Sequence, residues 1–292
     1  METVLVQSMR SESARARGDC YAGFLWDLSN FYEHVDPELL WARAQDRSFP
    51  LAVLAISLNQ YRARRFLGLD TMAVDCGYPL RGIAAGCGFA TFWVQLYSID
   101  PLESWRAEHG HLDLSVFIDD VMSDTTGQHE HQVVGRLASG AASLRRTIEE
   151  ELGCKIADHK SAIIASSDSL LQKCKRAFGR YAGATEESAV NLGVDVYAGR
   201  RRARRSSKRT LAKRSLKFKR RIRRLQMIKK AGANMRELYS TGLQQYAFYG
   251  AEVLGLDAAE LKTAQGQYLR LVGSPSKSSS TALSLTILGD PL

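Results

Sequence analysis

The sequence is poor in the residues that staple small or metal-built folds. Its five cysteines (Cys20, Cys76, Cys87, Cys154, Cys174) are odd in number, scattered, and nowhere spaced as CxxC. That pattern excludes a legible zinc ribbon or disulfide framework and points to reduced thiols. No run approaches the roughly 18 apolar residues that a membrane helix needs. The opening METVLVQSMRSESARARGD lacks an apolar segment of signal-peptide length. The expectation is an intracellular protein, in nucleus or cytoplasm, with no membrane partner. The glycine fingerprint and regular strand–helix spacing of a doubly wound nucleotide-binding fold are missing too, as is any internal repeat.

One absence is local. Residues 199–230 contain 17 Lys or Arg and no Asp or Glu. The whole chain of 292 residues carries 40 basic and 31 acidic residues, a formal charge of +9. Without that block, 23 basic residues face 31 acidic ones. A mildly acidic body therefore carries a cationic module. With 45% hydrophobic residues, the chain can bury one large core or two smaller ones.

Hydrophobic patterning interleaves strands and helices. The run Phe24–Leu25–Trp26 predicts a short buried strand ending at Asp27, and Asp36–Pro37–Glu38 reads as the N-cap and first turn of a helix. A second helix is expected from Phe49 to about Phe66, followed by a glycine-rich break at CGYPLRGIAAGCG and a helix over 89–99. LDLSVFIDDVMSD predicts a β-hairpin with carboxylates at its tip. A long amphipathic helix is expected over 129–152, with Gly153 at its C-terminal cap. Turn and strand follow at 155–165, a helix at 168–181, and a short strand at NLGVDV, 191–196. Beyond Gly199 the pattern is helical and basic, with Leu211, Leu216, Phe218, Ile222, Leu225 and Ile228 as an apolar stripe. SPSKSSST reads as a linker.

Asp27, Asp119 and Asp120 each stand at the end of an apolar strand. Acids clustered at a sheet edge repel one another unless a cation is bound, and the chemistry that needs such a cluster is a site for divalent ions. An all-oxygen site of this kind suits Mg²⁺. A lone Asp–Asp pair in a hairpin is otherwise a solvated turn.

Further segments agree in order. DLSNFYEHV resembles motif A of reverse transcriptases, with Asp27, then Tyr32 and Glu33. GYPLRGIAAG resembles the glycine-rich motif B. FIDD resembles motif C, ELGCKIADHKSAII resembles motif D with Lys160, and NLGVDV resembles the Leu-Gly strand that grips the primer. The resemblance covers roughly residues 20–230 and is nearest to non-LTR retroelement and group II intron-like enzymes. It implies an α+β fold: a polymerase palm, an antiparallel sheet with packed helices, followed by a basic helical thumb. The expected segments are 1–22 as a fingers remnant or disordered lead-in, 23–198 as palm, 199–273 as thumb, and 274–292 as a linker or frayed end.

The resemblance also implies an activity, RNA-directed DNA synthesis from a primer 3′-hydroxyl. Its partners would be an RNA or DNA template with primer, deoxynucleoside triphosphates, and the rest of a larger retroelement polyprotein. Asp27, Asp119 and Asp120 would hold two Mg²⁺ ions, with Mn²⁺ as a substitute, and Asp120 as the supporting ligand. Tyr32 would be the steric gate against a ribose 2′-hydroxyl, and Lys160 would approach the leaving pyrophosphate. Arg81 stands where motif B usually has Gln, and together with Gly82 would border the substrate. Lys217, Lys219, Arg220, Arg221, Arg223 and Arg224 would grip nucleic-acid phosphates. Only 26 residues precede Asp27, whereas the family places there a longer fingers segment whose cations bind the triphosphate. Arg10, Arg15 and Arg17 are the candidate remnant of that clamp. A catalytically inactive nucleic-acid-binding remnant is the alternative reading.

Overall fold

The computed structural model describes residues 2–70, 72–185, 188–198, 210–256 and 258–273, together with Leu285. The chain divides into two compact units, one of Arg10–Ala189 with Ala198–Arg200, the other of Met1–Met9, Val190–Tyr197 and Arg201–Leu292. Its class is the expected α+β, an antiparallel sheet with packed helices and, later in the chain, a basic helix among further helices.

The segment expected as a fingers remnant or disordered lead-in is a helix, α1 (Glu2–Arg17). The central strand follows as β1 (Cys20–Ser29), in which Tyr21 to Trp26 are all buried. Burial on both faces is why its apolar residues run continuously instead of alternating. A short α2 (Phe31–His34) leads to α3 (Pro37–Asp46), where the Asp36 carboxylate accepts from the Glu38 and Leu39 amides, as the sequence indicated.

The next helix, α4 (Leu51–Tyr61), stops short of the expected Phe66. The segment after it forms an antiparallel hairpin of β2 (Arg65–Leu69) and β3 (Met72–Gly77), a correction to the helix-then-loop expectation. Nearly all of its side chains are exposed. A hairpin that buries neither face leaves no period-two burial signal in the sequence. In the opposite direction, α5 (Ala90–Glu108) runs beyond its predicted end and through Pro101. Buried Trp93, Tyr97, Leu102 and Trp105 hold it helical despite the lost backbone donor.

The expected acid-tipped hairpin is present as β4 (Asp113–Phe117) and β5 (Asp120–Gly127). After α6 (Glu130–Arg146), the predicted helix loosens into one wide turn at Thr147–Glu151, and Gly153 sits beyond it at φ +61°. Then come β6 (Lys155–Ile156), β7 (Ala162–Ala165), α7 (Asp168–Phe178) and β8 (Ala184–Thr185). The sheet order is β4-β5-β1-β7-β8, with β6 also paired to β1. All pairings are antiparallel except β7 with β8. Helices α3 to α7 contribute to the same apolar core as β1.

In the other unit, NLGVDV is not one strand. Leu192 and Gly193, at φ +47° and +76°, turn the chain between β9 (Ser188–Asn191) and β10 (Val194–Tyr197). Two residues with positive φ are what a tight hairpin turn requires. The basic helix α8 (Thr210–Lys229) is tied to this hairpin. The Asp195 carboxylate accepts from the Thr210 amide and hydroxyl, and the Arg214 guanidinium donates to the Gly193 and Tyr249 carbonyls. Phe218 and Ile222 of the expected stripe are buried with Tyr239, Leu243 and Tyr268. Leu216 and Ile228 are exposed instead, so the packed face is narrower than the sequence pattern implied. Leu211 and the linker expected at 274–281 lie outside what the structure describes of side chains and chain respectively. Among the described residues, no helix is long and apolar enough to cross a membrane.

Candidate active site

Asp27 and Asp120 are opposed partners where β1 pairs with β5, and Phe117 opposes Asp120 across the β4–β5 hairpin. Only Ile118 and Asp119 lie between those two strands. Ile118 adopts φ +60°, a conformation that a β-branched residue takes only under strain. A two-residue hairpin with positive φ at its first position is normally built with glycine there. The strained tip is what carries Asp119.

Asp27 and Asp119 both line a cleft of about 650 Å³, in company with Tyr32 and Lys160. The other lining residues are Leu28, Asn30, Phe31, Glu33, Gln60, Tyr61, Arg65, Ile83, Ala84 and Ala85. The end of β1 is held in place from the next strands. The Asp27 amide donates to Ser161 Oγ at 3.2 Å, the buried Ser161 hydroxyl donates to the Ala157 carbonyl, and the Ala157 amide donates to the Asp27 carbonyl at 2.8 Å. The loop thus pinned carries Lys160, whose Nζ lies 3.6 Å from Asp27 Oδ1. Both side chains are more than a third exposed, so this pair contributes little to stability.

Asp120 is placed differently. It is half-buried at the start of β5 and is not among the residues lining the cleft. Burial pushes its carboxyl above the usual carboxylate range, and the negative charges of Asp119 and Asp27 push it further. The Tyr32 phenol is also raised, first by burial and then by the Asp119 charge.

Motif B supports the cleft through its backbone. The Gly82 amide donates to the Val35 carbonyl at 2.8 Å and the Ile83 amide to the Tyr32 carbonyl at 2.9 Å. Gly82 has φ +95°, and a Cβ there would stand 3.1 Å from Glu33 Cα. Only glycine satisfies both the turn and the close approach. Arg81 pairs with Asp36 at 3.3 Å, and it is Ile83, Ala84 and Ala85, not Arg81 or Gly82, that line the cleft.

The arginines read as a clamp remnant stand elsewhere. Arg10 donates to both oxygens of the buried Asp124, at 2.9 and 2.5 Å, and Arg17 pairs with Asp19 at 2.8 Å. None of Arg10, Arg15 and Arg17 lines the cleft. Lys217, Lys219, Arg220, Arg221, Arg223 and Arg224 are exposed on α8, in the other unit, and Arg221 lies over the Tyr246 ring at 4.1 Å.

Two aspartates aimed into one cleft fit a hard divalent cation. Mg²⁺ commonly takes one or two protein carboxylates and completes its shell with water and substrate phosphates. Among the described residues, no three or more His, Cys, Asp or Glu side chains stand together as a complete cage. Burial is the first cause of the raised Asp120 carboxyl, and the carboxylate crowding that adds to it is the kind a bound cation relieves.

No protein-family model and no curated protein matches the chain. Among solved structures it is similar to apo telomerase from Candida tropicalis truncated from its C-terminal domain (11% identity, 66% of this chain and 37% of that one, TM-score 0.46). It is also similar to telomerase from the same organism in complex with a TWJ fragment of telomeric RNA (9% identity, 97% and 48%, TM-score 0.47). The corresponding complex from Candida albicans shows 12% identity over 98% and 43%, with a TM-score of 0.42. The chain spans less than half the length of each.

Proposed function

We propose that this chain is a reverse-transcriptase domain that adds deoxynucleotides to a primer 3′-hydroxyl. The observation that carries this reading is the convergence of Asp27, Tyr32, Asp119 and Lys160 on one cleft. These residues come from three separate motifs, up to 133 positions apart in the sequence, and a chance Asp–Asp turn would not bring the other two there.

In this reading the primer 3′-hydroxyl loses its proton to water, its oxygen bonds to the α-phosphorus, and the bond from that phosphorus to the bridging oxygen breaks, releasing pyrophosphate. Asp27 and Asp119 would hold two Mg²⁺ ions, whose chemistry is to favour the attacking oxyanion and offset charge on the transferring phosphoryl group. Asp120, the strand partner of Asp27, adds negative charge beside the pair. Lys160 balances Asp27 and supplies an ammonium that can neutralise the leaving group or give it a proton. Tyr32 borders the sugar and disfavours a 2′-hydroxyl. The exposed cations of α8 suit phosphate contacts that give affinity without sequence readout.

The test is primer extension by the whole chain on RNA and DNA templates, with Mg²⁺ or Mn²⁺ and with Asp119→Ala as control. Extension by the wild type and its loss in the variant are expected. Salt-sensitive duplex binding without extension under any condition would replace the polymerase with the non-catalytic nucleic-acid-binding reading.

A further inference from the structure

Three arginines follow α4 within four positions: Arg62, Arg64 and Arg65. Two of them are engaged. Arg62 pairs with Glu38 at 2.5 Å, and Arg64 pairs with Asp75 across the β2–β3 hairpin while lying over the Phe66 and Tyr78 rings. Arg65 has no carboxylate partner among the described residues, and it alone of the three lines the active-site cleft.

Its placement has a local cause. Arg65 opens β2 opposite Gly77, and the register shifts between Arg65 and Phe66. Such an irregularity re-aims one side chain relative to the alternation of the strand. Gly77, at φ +73°, supplies the turn on the facing strand. The cleft therefore holds three carboxylates, Asp27, Asp119 and Glu33, and two cations, of which Lys160 already faces Asp27. The remaining guanidinium has the fork geometry that matches phosphate oxygens. The cleft volume of about 650 Å³ lies within the roughly 300–1,000 Å³ range of small-ligand sites.

We propose that Arg65 is the polyphosphate-binding residue of this cleft, supplied by the hairpin between motifs A and B and not by the arginines that precede motif A. This deepens the proposed function, and rests on it for the identity of the ligand as a nucleoside triphosphate. The recognition chemistry itself requires only an anionic polyphosphate.

The experiment is equilibrium binding, by calorimetry in the presence of Mg²⁺, of dATP and of inorganic tripolyphosphate to the full chain. Arg65→Ala is expected to weaken both ligands at least tenfold, Arg65→Lys to recover part of the loss, and Arg62→Ala to bind as the wild type. All should keep the wild-type melting temperature to within a few degrees, since Arg65 is exposed. Unchanged binding in Arg65→Ala, an equal loss in Arg62→Ala, or no binding of either ligand by the wild type would overturn the proposal. Arg65-dependent binding in a chain that extends no primer would uphold this site while removing the polymerase reading.

Discussion

Asp27 and Asp120 face each other across β1 and β5, yet it is Asp119, one residue nearer the hairpin tip, that shares the cleft with Asp27. Asp120 opens β5, half-buried, whereas Asp119 stands in the exposed turn that Ile118 begins, so the two acids of the Asp–Asp pair occupy different surroundings. Changing Asp27 or Asp119 to Asn is expected to lower primer extension about 100-fold or more, the scale of losing a group that acts on the reacting charge. Asp120→Asn should cost less than a tenth of that loss and, by relieving like-charge crowding, should not lower the melting temperature. Steady-state extension rates of the three variants check the order. An Asp120 variant as inactive as Asp119→Asn would contradict the placement.

Tyr32 borders the cleft from a short helix pinned by the backbone of motif B. Shortening it to Ala is expected to raise ribonucleotide incorporation relative to deoxynucleotide by about tenfold or more, since a pocket rejects an added hydroxyl only through filled space there. Competing the two nucleotides in single-addition assays measures the ratio. A ratio unchanged from the wild type would remove Tyr32 from sugar selection.

The cations of α8 are exposed, and phosphate contacts release counterions in proportion to their number. Replacing Arg220, Arg223 and Arg224 by Ala is expected to weaken primer–template binding and to flatten the slope of log K against log salt by about 0.9 for each phosphate no longer neutralised. Arg221 also covers the Tyr246 ring, so its replacement should lower thermal stability as well. A salt slope identical to that of the wild type would show that this face does not meet phosphate.

Arg10 and Asp124 form a largely buried pair at the sheet, with Asp113 and Tyr21 nearby. Burial pushes the Asp124 carboxyl up to about 6 from its ordinary 3.8, although the Arg10 hydrogen bond and charge pull the other way. A carboxyl raised on folding contributes stability that is fully present below its unfolded value and lost as pH rises through the folded one. Wild-type stability should therefore fall from pH 4 to 7 more than that of Asp124→Asn. Arg10→Ala leaves the carboxylate buried without its cation, at a cost of about 3–5 kcal/mol near neutral pH. That cost should shrink as the pH is lowered and Asp124 takes up a proton. Urea melts at several pH values read both effects, and parallel curves for all three proteins would contradict them.

Much of the site is legible in the residue order. The apolar run before Asp27 and the acids at the β4–β5 tip announce themselves because each depends on local chemistry: burial of a short strand and a tight turn. The same holds for the helix cap at Asp36 and the cationic stripe of α8. The arginines were not assignable in this way. Arg10 resembles any surface cation until β5 brings a buried Asp124 against it. Arg62, Arg64 and Arg65 form one basic cluster in the sequence, and only the fold gives two of them acid partners and turns the third toward the cleft. Whether a charge is paired, buried or left to bind a ligand depends on which distant segment lies beside it. Hydrophobic patterning determined that strands and helices interleave and that the acids stand at strand ends, and tertiary packing alone decided which acids share a cleft and which cation faces them.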